Sequence, residues 1–79
     1  MNHAQKRLKQ RYHINPTRAI IRRIRDMIRY KSKKAILIRP ARGPAEIYQV
    51  PVGKKRVLVV FNWRMKGIVT FLPKEALHN

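Results

Sequence analysis

The chain has 79 residues, with 20 Lys and Arg against three acids, Asp26, Glu46 and Glu75, for a net charge of +17. That length supports one domain with one modest core and leaves no room for separate catalytic and regulatory modules. Compacting so much like charge costs energy, so a polyanion is the expected partner, held by contacts that weaken steeply with salt.

With no cysteine, disulfides and thiolate metal sites are excluded and nothing marks an oxidising compartment, so the cytoplasm is the expected location. The segment from Met1 to Gln10 is polar and basic, without the apolar stretch of a secretory signal. The longest apolar run, Val57 to Phe61, is far too short to span a bilayer. Arg22, Arg23 and Arg25 have no accompanying Trp- or Phe-rich face to seat a helix in a membrane surface. No membrane partner is expected.

In chain order, Ala4, Leu8 and Tyr12 recur every four residues and predict a helix over 2–12 with one apolar side. Asn15 is a good N-cap and Pro16 suits a first helical position, which predicts a second helix over 16–30. Ile20, Ile21, Ile24, Met27 and Ile28 give that helix its apolar stripe, while Arg18, Arg22, Arg25 and Arg29 take other sides as a solvated face. From Lys34 the pattern becomes β-rich, predicting strands over 35–39, 46–52, 56–62 and 67–72. Pro- and Gly-containing segments supply the turns, and Pro73 ends the last strand. The predicted fold is α+β, with two N-terminal helices packed on a four-stranded antiparallel meander and Arg56–Phe61 as its central strand.

Three scattered acids give no paired carboxylates for sugar hydrolysis and no two-metal site for phosphate chemistry. No Gly-rich phosphate loop is present, and His3, His13 and His78 lack metal-site spacing, so neither metal nor cofactor is expected. What remains for catalysis is histidine, hydroxyls and cations, the components of metal-independent RNA cleavage by 2′-OH attack. On the first helix His3, Arg7, Gln10 and Arg11 form an arc beside the apolar stripe.

The opening His3-Ala4-Gln5-Lys6-Arg7-Leu8-Lys9-Gln10-Arg11-Tyr12-His13-Ile14 resembles the "HA-x-x-R-x-x-x-R-x-x-I" start of a family of short toxin-like domains. Lys55 to Asn62, followed by Gly67-Ile68-Val69-Thr70-Phe71-Leu72-Pro73, is similar to that family's "VVYD…IVTVLP" close. The resemblance covers most of the chain in the right order. It implies the two-helix, four-stranded fold shared by RelE-type toxins, colicin D-type nucleases and barnase-like ribonucleases, in which RNA is held on the sheet and cut without metal. Carried over, His3 is the acid or base, Arg7 and Arg11 contact phosphate, and Thr70 donates a hydrogen bond to the scissile phosphate. The chain departs from the family at Asn62, where an Asp is common, and in its abundance of arginine.

Glu46 is the one strand acid, and barnase-like enzymes use a strand glutamate as base, although a lone Glu amid so many cations is more often an ion-pair partner. Tyr48 shares the face of Glu46 and suits either base stacking or core packing. Trp63, beside Arg64 and Lys66 in a turn, suits base stacking next to phosphate contacts or burial against the sheet. The leading expectation is an RNA-binding, toxin-like endoribonuclease, with a tRNA or ribosome-associated RNA among the candidate substrates and an acidic antidote as a candidate partner. One alternative is non-catalytic nucleic-acid binding through Arg18, Arg22, Arg25 and the Gly53-Lys54-Lys55-Arg56 turn. Another is a small basic effector that inhibits a host protein.

Overall fold

A computed structural model describes residues 2–78. Two helices, α1 (His3–Tyr12) and α2 (Arg18–Arg29), precede four strands, β1 (Ile36–Pro40), β2 (Ala45–Val52), β3 (Lys55–Asn62) and β4 (Gly67–Leu72), and a 3-10 helix, Lys74–His78, follows. The α+β arrangement expected from the sequence is present. All strand pairs are antiparallel and the spatial order is β1-β2-β3-β4.

Helix α1 starts at His3 because Asn2 and Gln5 form a reciprocal capping box. Its stripe of Ala4, Leu8 and Tyr12 is buried. Helix α2 begins at Arg18, two residues later than Asn15-Pro16 predicts. Thr17 is the true N-cap: its hydroxyl accepts from the Ile20 amide, and its own amide is bonded to the Asn15 carbonyl. Pro16 is buried ahead of the helix instead of opening it.

Both helices lie over one face of the sheet. Leu8, Tyr12, Ile24 and Ile28 meet Val50, Val57, Val59, Phe61 and Phe71 in a single apolar cluster. Strand pleating puts Ala45, Ile47 and Leu58 on the other face, where they are also buried. The 3-10 helix, for which the sequence gives no signal, packs against β3 there, and the Arg39 guanidinium donates to the Ala76 carbonyl at 2.8 Å.

The hydroxyl of Tyr12 reaches the end of the β3/β4 ladder, where Leu58 faces Leu72. It accepts from the Leu58 amide at 3.0 Å and donates to the Leu72 carbonyl at 2.6 Å. Burial, the largest influence, pushes the Tyr12 phenol above its ordinary pKa. Lys55 Nζ donates to the Tyr12 carbonyl at 2.6 Å and Arg11 to the Phe71 carbonyl at 2.7 Å, so two cations tie the end of α1 to the sheet. No helix among the described residues is long and apolar enough to cross a membrane.

Candidate nucleic-acid interface

Little of the positive charge is neutralised internally. Among the described residues there is one ion pair, between neighbours Arg25 and Asp26 at 3.7 Å, with both side chains partly exposed. Such a pair contributes at most a few tenths of a kcal/mol to about 1 kcal/mol. Apart from Arg7, Arg11, Arg39 and Lys55, which donate within the domain, the cations are available to an external anion, and their positions decide which surfaces can take one.

Arg18, Arg22 and Arg25 follow one another at spacings of four and three, which brings them to one side of α2. Together with Ile21 and Gln5 of α1 they line a groove of about 390 Å³. Gln5 is held at the junction of the two helices, since its Nε2 donates to the Pro16 carbonyl and its Oε1 accepts from the Asn2 amide. The Nε of Arg25 is buried without a hydrogen-bond partner; Asp26 lies beyond bonding distance. Arg29 continues the row by one further turn.

A second basic surface surrounds the β2–β3 turn, where Gly53 adopts a left-handed conformation. Lys54, Lys55, Arg56 and Lys74 line a hollow with Tyr12, Gln49, Leu58 and Leu77. Here the Lys55 ammonium is already engaged by the Tyr12 carbonyl. The β3–β4 turn presents Arg64 and Lys66 to solvent. Asn62 organises that turn, its Oδ1 accepting from the Arg64 and Met65 amides.

The residues expected to act on RNA are distributed as follows. His3 is the first residue of α1 and is exposed. Arg7 lies one turn on, half-buried, and donates to Gln10 Oε1 at 3.0 Å. Arg11, expected on phosphate, is committed to the Phe71 carbonyl. Thr70 pairs with Val60 and alternates with the buried Phe71, so its side chain is on the sheet face away from the helices. Among the described residues no hydrogen bond joins His3, Arg7 and Thr70.

Glu46 has no ion-pair partner among the described residues. Its Oε1 instead accepts from Trp63 Nε1 at 2.7 Å and from the Tyr48 hydroxyl at 2.8 Å, with the indole N–H also 3.2 Å from that hydroxyl. The β2–β3 register places Glu46 opposite Phe61 and Tyr48 opposite Val59, on the helix-covered face. The Trp63 ring makes edge contacts with Phe61 and Tyr48. Burial raises the Tyr48 pKa, and its hydrogen bond to Glu46 adds to the shift, which keeps the phenol a donor. Glu46, Tyr48 and Trp63 line a cleft of about 430 Å³ with Ile28, Lys31, Ser32, Ala35 and Leu37. The alternation of Glu46 and Tyr48 is visible in the sequence; the return of Trp63 from beyond β3 is not.

No group of His, Cys, Asp or Glu suited to hold a metal ion occurs among the described residues. Comparison of the chain with protein-family models, with curated proteins and with solved structures finds no match.

Proposed function

We propose that this protein binds RNA in the cytoplasm, with the phosphate backbone lying along α2. The observation that carries the reading is the groove that Arg18, Arg22 and Arg25 line together. Lys54 and Arg56 at one turn and Arg64 and Lys66 at another offer further phosphate contacts around the domain. Binding of a labelled single-stranded RNA by wild type and by an Arg18→Gln, Arg22→Gln, Arg25→Gln variant tests this. The variant should bind at least about tenfold more weakly while keeping its circular dichroism spectrum. Equal affinity would refute the assignment.

A second reading, metal-independent cleavage, is favoured by the placement of His3 and Arg7 four residues apart on one side of α1 with the imidazole open to solvent. In that chemistry the RNA 2′-oxygen attacks the adjacent phosphorus, the 5′-oxygen leaves, and a 2′,3′-cyclic phosphate results. His3 relays the proton and Arg7 stabilises the phosphate charge; Thr70, on the sheet face away from α1, takes no part. RNA incubated with chelator and either wild type or His3→Ala tests it: equal cutting by both, or cutting by neither, removes the enzymatic reading and leaves binding untouched.

A further inference from the structure

The basic surfaces of this domain lie on two sides of the sheet. On the helix-covered side is the groove of Arg18, Arg22 and Arg25, walled by Gln5 of α1. On the other side the strand register settles where the side chains go. Val50 and Val57 pair with each other and are buried under the helices, so Gln49, Pro51 and Arg56 beside them point to the helix-free face. The hollow of about 430 Å³ that Gln49 and Arg56 line with Lys54 and Lys74 therefore opens on that face. A smaller hollow of about 220 Å³ adjoins it, sharing Gln49 and Arg56 and adding Lys34, Ile36 and Pro51. Lys74, Lys54, Arg56 and Lys34 thus form one continuous basic track, and all four are exposed. Glu75, next to Lys74, makes no ion pair among the described residues.

The domain is 27 Å along its longest axis, and a stacked strand carries one phosphate about every 3.4 Å, so a strand crossing it brings about eight negative charges. Against a net charge of +17, one strand leaves about half of the positive charge unneutralised, and a second brings the complex close to neutrality. Resting on the RNA-binding reading, we infer that the protein holds two RNA segments at once, one along α2 and one along the track from Lys74 to Lys34, and promotes their pairing. Repulsion between phosphate backbones opposes the encounter of complementary strands, and a cationic body between them screens it. Two segments held on one small domain also have the effective concentration of a tethered pair, so the parts of each strand that extend past the domain meet and pair. The competing arrangement is a single strand that wraps from one face to the other, and strand length separates the two.

The test uses two non-complementary RNAs of about eight nucleotides, long enough to cross one face and too short to reach the other. One carries a donor dye and the other an acceptor, and both carry 2′-O-methyl groups, which block cleavage by 2′-OH attack. Energy transfer should appear at one protein per two strands and vanish in protein excess, where each strand has a domain to itself. Longer complementary RNAs should pair at least about tenfold faster at the first ratio than without protein, and lose the acceleration in excess. An Arg18→Gln, Arg22→Gln, Arg25→Gln variant and a Lys34→Gln, Arg56→Gln, Lys74→Gln variant, each with a wild-type circular dichroism spectrum, should both lose the transfer at concentrations that saturate a single strand. The wild-type dose response needs no variant to interpret. Binding without transfer, transfer that persists in protein excess, or transfer lost in neither or only one variant overturns the two-strand inference and leaves RNA binding standing. No binding of either strand by the wild type refutes both.

Discussion

Replacing Tyr12 by Phe removes one oxygen and leaves two backbone groups without their partner. The Leu58 amide, which donates to the Tyr12 hydroxyl at 3.0 Å, is buried, and the Leu72 carbonyl, which accepts from it at 2.6 Å, is partly so. Leaving a buried donor or acceptor unsatisfied costs about 1–3 kcal/mol each, which sets the expected loss at about 2–4 kcal/mol. A domain of this size has on the order of 4–12 kcal/mol of stability in total, so the change should lower the melting temperature by roughly 10–20 °C. Urea unfolding followed by circular dichroism, with Tyr48→Phe as the control, measures it. Tyr48 donates one hydrogen bond to a half-buried carboxylate that keeps Trp63 as a partner, and its loss should cost about 1 kcal/mol. A Tyr12→Phe loss under about 0.5 kcal/mol would show that Leu58 and Leu72 are satisfied without the hydroxyl and would refute the reasoning.

The same hydroxyl sets a pH dependence. Burial raises the Tyr12 pKa in the folded state, so its contribution is intact below the unfolded value of about 10 and is lost as pH rises through the folded value. Melting temperature should therefore fall above about pH 10, and less steeply in Tyr12→Phe; parallel curves for the two proteins would contradict this. His13 ends α1 with φ 54° and ψ 36°, a conformation that costs a side-chain-bearing residue about 1 kcal/mol, and His13→Gly should raise stability by about that amount in thermal unfolding. Thr17→Ala should lose about 1 kcal/mol by the same measurement because the Ile20 amide loses its cap, whereas Asn15→Ala should change little.

Helix faces and strand order were legible because periodicity alone determines them. Ala4, Leu8 and Tyr12 are buried as their spacing requires, and Ile24 and Ile28 form the centre of the α2 stripe. The start of α2 was not, since Asn15 and Thr17 are both competent caps and only the tertiary burial of Pro16 separates them. Nor was the terminal 3-10 helix, which is secured by Arg39 from 37 residues away.

At the interface, spacing gathers Arg18, Arg22 and Arg25 on one side of α2, but the groove needs Gln5 of α1 as its other wall. Arg11 reads as a phosphate contact through the family resemblance and Lys55 through its basic turn, yet each finds a backbone carbonyl that no local pattern announces. Glu46 reads as an ion-pair partner because cations outnumber acids so heavily. It is held instead by Tyr48 and Trp63, an arrangement that depends on where the chain goes after β3.

The most direct test of the RNA-binding account is the salt dependence of affinity for a single-stranded RNA, measured by fluorescence anisotropy for wild type and for the Arg18→Gln, Arg22→Gln, Arg25→Gln variant. Each phosphate contact contributes about 0.7 to the slope of log affinity against log salt, so loss of three should flatten the slope by about 2. A slope unchanged by the substitutions, or no RNA binding by the wild type, would contradict the account.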